Sequence, residues 1–499
     1  MEESIIHDVV VVGAGLSGLR TSSLLKDENI SVLLLEAQDR VGGRTDSVKI
    51  DNYNWDLGGQ WVGPTQYRIN ELVKDCNQTT FPQQQKGKKV MEINGTHARY
   101  TSLIPPIGLG AVIECQLVVW RLDYLSRDLD VTQPWNWKHA EHYDSISMRD
   151  WMEDHMYFET SKKLIYISIL AVFSAEPKDI SVLFAMTYFK SAGGVSKTIE
   201  VEGGAQQDRI YGSSHNISNI LSKKLLIPSA IKIEHDYKTK DIIRTTTRNI
   251  KTNEECVYLS KYLVLTVPPN IADTIVYQPE LPTIRRQLTK STKMGKVIKF
   301  IIFYQDCWWR DLGFSGEVVS DRPSISFCYD GSFEDGSKSS IIGFFEGDYA
   351  IEWGKKSELE RKNEAMAFIY QSFSDDRAFS PTNYLERNWA SNPWSNGGYG
   401  CIMGPHDYSN YGKALREPIG NIHFAGTETA TEWAGYMEGA LQSAERVSNE
   451  IIPKFNSNYK PQLKTNLNGH SNNLNFLNYL IMISSMVLIV ILIFYNLLI

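Results

Sequence analysis

The run Ile6-His7-Asp8-Val9-Val10-Val11-Val12 leads directly into Gly13-Ala14-Gly15-Leu16-Ser17-Gly18-Leu19, and this junction constrains the chain more than any other stretch. The β-branched run predicts a buried strand. Leu16, Leu19, Leu24 and Leu25 follow at helical spacing and predict a helix. The glycines, spaced Gly13-x-Gly15-x-x-Gly18, therefore fall in a strand-to-helix turn, where that spacing has a physical meaning. The first glycine permits the tight turn, the second lets the backbone approach a pyrophosphate, and the third lets helix and strand pack closely. The helix start offers unpaired N–H groups to the phosphates. A second apolar run, Val32-Leu33-Leu34-Leu35, ends in Glu36, eighteen residues past Gly18, where a carboxylate accepts the ribose hydroxyls of an adenosine. Together these features predict a dinucleotide site rather than a glycine-rich turn beside a surface glutamate.

At 499 residues the chain exceeds one comfortable core, so two intertwined domains are expected. A net charge of −7 with no basic block excludes a nucleic-acid partner. The six cysteines (76, 115, 256, 307, 328 and 401) form no CxxC pair or His-Cys cluster. No metal site or disulfide framework is expected, which fits a reducing compartment. The sequons at Asn77, Asn94 and Asn216 then read as chance matches, and the acidic N-terminus is no signal or transit peptide. The C-terminus differs, because Leu480 to Ile499 carries no charged side chain over twenty residues, the length a helix needs to cross a ~30 Å hydrocarbon layer. The Asn-rich stretch 456–478, with Pro461 and Gly469, reads as a tether, and Lys454, Lys460 and Lys464 fall on the side the positive-inside rule assigns to the cytosol. The expectation is a tail anchor over 479–499 in a lipid bilayer, with the bulk of the chain cytosolic.

Glu36 is followed by Ala37-Gln38-Asp39-Arg40-Val41-Gly42-Gly43-Arg44-Thr45. Two adjacent glycines beside two arginines suit a second close approach to phosphate, with the Arg44 guanidinium pairing to it. A nicotinamide enzyme needs no such element. The pattern Glu-x-x-x-Arg-x-Gly-Gly-Arg resembles the FAD-binding signature of the flavin amine oxidase superfamily, and Asp56-Leu57-Gly58-Gly59-Gln60-Trp61-Val62-Gly63-Pro64-Thr65-Gln66 resembles its next block in the monoamine oxidase form. The resemblance spans about residues 5–450. It implies a mixed α/β fold: a Rossmann-like FAD-binding domain of the glutathione-reductase type with an inserted substrate domain, followed by the transmembrane tail. The FAD-binding domain is expected over 5–80, 206–285 and 396–455, the substrate domain over 81–205 and 286–395, the tether over 456–478 and the anchor over 479–499.

Further blocks carry the resemblance. In Met294 to Phe303, Lys299 stands inside an apolar run, costly for a lysine without a partner; the family's equivalent lysine holds a water against flavin N5. Tyr399 and Tyr436 match the two rings that flank the amine. Gly203-Gly204 carries Gln206 into the substrate cavity, and Ile199 falls at a cavity-gating position. The resemblance also assigns cofactor contacts to Gly13, Gly15, Ser17, Gly18, Glu36, Arg44, Gly59, Gln60, Ala230, Trp389, Thr427, Glu428 and Met437. The last lies in a strand-turn-helix unit, Ile422 to Ala440, whose helix N-terminus points at the flavin. Animal monoamine oxidases bond the flavin to a cysteine immediately before the tyrosine; Gly398 stands there and Cys401 lies three residues on, so noncovalent FAD is expected.

Elsewhere the patterns predict two helices over Leu164 to Phe189, broken near Pro177, and strands over Ile231 to Tyr237 and Tyr258 to Val267. Residues 67–150 read as helices mixed with loops. Trp120, Trp135, Trp137 and Trp151 either line an entrance or fill a core. The implied reaction is oxidation of a primary, arylalkyl amine by FAD and O2 to an imine, hydrolysed to aldehyde and ammonia, with H2O2 as the second product. Alternatives are a polyamine oxidase, which wants cavity carboxylates, an L-amino-acid oxidase, which wants a cavity arginine, and a non-catalytic membrane-tethered flavoprotein. The resemblance also suggests the mitochondrial outer membrane and leaves room for a homodimer.

Overall fold

The computed structural model describes residues 5–101, 105–223, 225, 234–239, 242–249 and 252–461. The chain divides into two units, 1–455 and 456–499. The second is described only as far as residue 461, where the Asn456 side chain and carbonyl accept the N–H groups of Asn458 and Tyr459 in one turn. Residues 462–478 of the expected tether and the whole expected anchor, 479–499, lie outside the described residues. Among the described residues no helix is long and apolar enough to cross a membrane.

Two seven-stranded sheets dominate the first unit. In the first, the strand Ile6–Val12 lies parallel to Val32–Leu35 on one side and to Glu255–Leu265 on the other. The far end of Glu255–Leu265 also pairs in parallel with Ile422–Phe424. Its near half pairs antiparallel with Ile242–Arg248, from which the sheet continues through Glu234–Thr239 to Val276–Gln278. Val9, Val10 and Val11 are fully buried, as a parallel strand covered on both faces demands. The helix Leu16–Asp27 starts directly after the glycine turn. Gly13 has φ +99, open to few residues but glycine, and a Cβ on Gly18 would stand 1.8 Å from the Gly13 carbonyl oxygen.

The second sheet runs in the order Asn383–Asn388, Val297–Phe303, Ser340–Glu346, Ile325–Asp330, Phe314–Ser320, Lys88–Ile93, Thr96–Tyr100. Every residue of Val297–Phe303 and of Ser340–Glu346 is buried, which explains two largely apolar runs where a half-exposed strand would alternate. Glu159–Phe173 and Val182–Ser191 are two helices separated by a short turn that starts at Pro177.

Several sequence expectations need correction. Residues 67–150 are not only helix and loop: Lys88–Ile93 and Thr96–Tyr100 form a hairpin. Its turn is Asn94-Gly95, both at positive φ (55° and 71°), the strongest short-range hairpin signal. The strand expected over Ile231 to Tyr237 runs over Glu234–Thr239, with 231–233 outside the described residues. Trp151 is buried in a helical core cluster, with Trp137 partly buried against it, and Trp120 and Trp135 are partly buried elsewhere. None of the four lines the main cavity described below.

The glycine turn yields a test. Gly18→Ala forces backbone apart and is expected to destabilise the protein by about 1–3 kcal/mol in urea unfolding. Gly15 has φ −71 and open space, its nearest Cβ neighbour being Gly43 Cα at 3.9 Å, so Gly15→Ala is expected within about 0.5 kcal/mol of the parent. Equal losses for the two variants would overturn this division of roles.

Candidate active site

One cavity of about 620 Å³ reaches from the glycine turn to the second sheet. Gly13, Gly15, Ser17, Glu36, Gly42 and Gly43 line one part of it. The Glu36 carboxylate accepts the Ala14 N–H at 2.6 Å and those of Ala37 and Gln38 at 2.9 Å. Burial pushes its pKa up while these three donors pull against that. Ser17 Oγ lies 3.0 Å from Ser443 Oγ and accepts the Gly426 N–H at 3.0 Å, fastening the first helix to the last strand of the sheet. Gly18 does not line the cavity; it serves helix packing.

Arg44 lines the cavity, with its guanidinium partly engaged by protein groups. It binds Glu428 through two N–H···O bonds of 2.5 and 3.0 Å and donates to the Tyr399 carbonyl at 2.9 Å. The fork to Glu428 fixes the orientation of the guanidinium at the cavity edge. Glu428 does not line this cavity; burial pushes its carboxyl up, but Arg44 outweighs that and holds it below the usual range. Thr427 does line the cavity, and its hydroxyl donates to the Tyr436 carbonyl at 2.8 Å.

Lys299 lies at the opposite wall, 2% exposed on Val297–Phe303. Its Nζ donates to the Gly58 carbonyl at 2.9 Å and Gln60 Oε1 at 2.5 Å. Burial lowers its pKa to about 7, against the pull of Asp56. A Cβ on Gly58 would stand 2.2 Å from the Arg44 carbonyl oxygen, whereas one on Gly59 would meet nothing within 4 Å. Gly58 is therefore required by packing, while Gly59 leaves the cavity room that a ligand would fill. Trp389 lines the same region, its indole N–H donating to the Leu57 carbonyl at 2.8 Å.

Tyr399 and Tyr436 both line the cavity, with Ile199, Gln206, Trp61 and Phe344. Tyr436 packs against Tyr188, ring centroids 5.8 Å apart, and against Trp433 at 4.9 Å. It caps the helix Met437–Ile451, whose first residue also lines the cavity. Gln206 donates through Nε2 to the Thr198 carbonyl at 3.1 Å. Among the described residues Gln206 Oε1 and Gln60 Nε2 are buried without a partner, so two cavity residues keep unused hydrogen-bonding capacity. An open glycine pair, a carboxylate at the dinucleotide end and these unsatisfied amides fit an adenine dinucleotide with a planar ring at the tyrosine end. Ala230 lies outside the described residues.

Sequence reasoning missed Glu346. Tyr399 Oη donates to Glu346 Oε1 at 2.9 Å, as does Ser174 Oγ at 3.0 Å, while Oε2 has no partner among the described residues. Burial raises this carboxyl to about 8. The available signal was a lone carboxylate ending an apolar run, the mirror of Lys299. Cys401 Sγ lies 3.4 Å from Asn270 Oδ1, outside the cavity that Gly398 lines, and burial pushes its thiol well up.

A family profile described as flavin containing amine oxidoreductase matches residues 16–452. A probable flavin-containing monoamine oxidase A of Dictyostelium discoideum is 37% identical over 91% of this chain and 99% of its own. Among solved structures, wild-type putrescine oxidase bound to putrescine superposes with a TM-score of 0.84 at 26% identity, covering 90% of this chain and 99% of that one. Cyclohexylamine oxidase from Brevibacterium oxydans gives 0.82 at 27% identity, covering 90% and 100%.

Lys299 sets a pH dependence whose sign is fixed. Between about 7 and its ordinary value of 10.5 the unfolded chain holds a proton that the folded chain lacks. The stability this group contributes therefore rises with pH across that window, by at most about 1.4 kcal/mol per unit. Lys299→Met removes that slope. The parent's stability relative to the variant is expected to be flat below about pH 7 and to climb toward pH 10, read by urea unfolding. A difference constant across that range would show that Lys299 is charged in the fold.

Proposed function

The chain belongs to the flavin containing amine oxidoreductase family, and on that premise we propose that it oxidises primary arylalkyl amines to aldehydes, with release of ammonia and H2O2. Flavin-dependent amine oxidation, with O2 as co-substrate, is what the family implies. The narrower reading rests on one observation: Tyr399 and Tyr436 share an apolar cavity with Lys299 in which, among the described lining residues, no carboxylate is left without a compensating donor or cation. Two ring faces orient an amine nitrogen, while the surrounding apolar wall favours its unprotonated form.

FAD bound here would supply the electron acceptor for the amine's α C–H bond and return the electrons to O2. Glu36 would take the ribose hydroxyls, and the loops at Gly15 and Gly43 would admit the pyrophosphate. The N-terminus of Met437–Ile451 would favour negative charge at the ring system. Lys299 would hold a water through Nζ, in place of the bond it makes to Gln60. Tyr399 is steadied from behind by Glu346. Gly398, not a cysteine, lines the cavity, and the Cys401 thiol is protonated and turned to Asn270, which supports noncovalent FAD.

Two rivals lack support from the cavity. An amino-acid carboxylate needs a free arginine, yet Arg44, the arginine among the described lining residues, is committed to Glu428. A polyamine needs a free carboxylate. Glu317 does line the cavity, and the likeness to putrescine oxidase favours this second reading, but Lys89 pairs with Glu317 at 2.9 Å. The uncharged run 480–499 also supports a tail anchor, and we place the enzyme on the cytosolic face of the mitochondrial outer membrane.

In a peroxide-coupled assay of purified holoenzyme, tyramine and benzylamine are expected to turn over at least about tenfold more efficiently than spermine or leucine. The inverse order would replace this reading with a rival, and no peroxide from any amine would favour a non-catalytic flavoprotein. Acid precipitation of the same preparation is expected to leave a colourless pellet; washed protein that stays yellow refutes noncovalent FAD. Deleting 479–499 is expected to move the protein from pelleted membranes to the supernatant, and retention in the pellet would refute the anchor.

A further inference from the structure

The strand Phe314–Ser320 sends Glu317 and Val319 to the cavity, two residues apart on one face. It runs parallel to Lys88–Ile93 with Val318 opposite Val90, which brings Lys89 beside Glu317. Lys89 Nζ lies 3.1 Å from Glu317 Oε1 and 2.9 Å from Oε2. Both side chains are largely enclosed, 17% and 13% exposed. Lys89 is also paired across the hairpin with Tyr100, which lines the cavity together with Met91, Pro105 and Leu164. Glu36 and Glu317 are the carboxylates among the described lining residues, and Glu36 is held by three backbone N–H groups at the opposite, dinucleotide end. Glu317 is thus the carboxylate that a substrate's distal end can meet.

We infer that the Lys89–Glu317 ion pair is a specificity-determining element that turns the cavity against α,ω-diamines. This inference rests on the amine-oxidase reading of the same site. An isolated carboxylate in an apolar wall would seat the second ammonium of a diamine by a charge-assisted hydrogen bond. With Lys89 spanning both oxygens, that ammonium would enter an apolar wall, lose its hydration and meet a carboxylate whose charge is already compensated. A monoamine brings no second charge and is indifferent to the pair. Neither residue touches the reacting atoms; the pair acts on which substrate tail the wall accepts.

The test uses the full-length holoenzyme. Lys89→Met frees Glu317 and is expected to raise the ratio of kcat/KM for putrescine or cadaverine over that for benzylamine by about tenfold or more, the factor one charge-assisted hydrogen bond sets. Lys89→Met/Glu317→Gln is expected to return the ratio to the parent's, and Lys89→Arg, which keeps the cation, to leave it unchanged. Should Lys89→Met not fold, Lys89→Gln carries the same expectation. Calorimetric binding of putrescine under anaerobic conditions is expected to tighten by the same factor. A ratio and an affinity both within about twofold of the parent would overturn the inference, as would a gain that survives Glu317→Gln. Tighter diamine binding without turnover of any amine would instead sink the amine-oxidase reading and leave the wall's selectivity standing.

Discussion

The buried pair between Arg44 and Glu428 holds the two ends of the site together. Arg44 follows the second strand of the first sheet, and Glu428 follows that sheet's last strand, 384 residues later. The same guanidinium takes the Tyr399 carbonyl, and the same carboxylate accepts the Cys401 N–H at 3.2 Å. Three segments that share no local sequence signal are thus fixed by one ion pair. Removing either member of such a pair leaves an uncompensated buried charge and costs on the order of 3–5 kcal/mol, a large share of a domain's net stability. The Tyr399 backbone, and hence the ring's place in the cavity wall, depends on it directly.

Behind that wall, two neighbouring strands each carry one ionisable residue in an otherwise apolar run. Val297 pairs with Glu346 and Lys299 with Phe344, so the two side chains are delivered to one region by the sheet register. Burial acts on both in the neutralising direction, lowering the lysine to about 7 and raising the carboxyl to about 8. Near neutral pH the reactive end therefore carries little fixed charge. An ammonium gains nothing there, whereas a neutral amine does, and the preference for the reactive protonation state arises from desolvation without a dedicated base.

What the sequence disclosed was local. The strand-turn-helix over residues 6–27 was legible because its glycines and apolar residues lie within one short window, and Lys299 because a lysine in an unbroken apolar strand is conspicuous. Glu346 ends a similar run yet passed unnoticed, since a polar residue at a strand's end usually marks the start of a loop. The pairing of Arg44 with Glu428 was not legible for a different reason: the residue's type and its glycine neighbours suit a phosphate, and only the long-range fold brings Glu428 within reach. The hairpin 88–100 hid in plain sight, its Asn94-Gly95 turn absorbed into a chance sequon. Lys89 and Glu317 lie 228 positions apart, and no periodicity could join them.

The unsatisfied amides decide how the fold and its ligand are related. A buried donor or acceptor without a partner costs about 1–3 kcal/mol, and among the described residues Gln60 Nε2 and Gln206 Oε1 are two such groups in one cavity. The other end of each amide is bonded, Gln60 Oε1 to Lys299 and Gln206 Nε2 to the Thr198 carbonyl, so each side chain is fixed with one polar atom left unused. Gly59 points the same way, since its surroundings would admit a larger residue without contact. Features that weaken the polypeptide alone but line one cavity are explained if a ligand completes them, and binding then returns the missing stability by linkage. The glycine turn divides along the same line: Gly18 is demanded by the packing of helix on strand, and Gly15 by whatever lies above it.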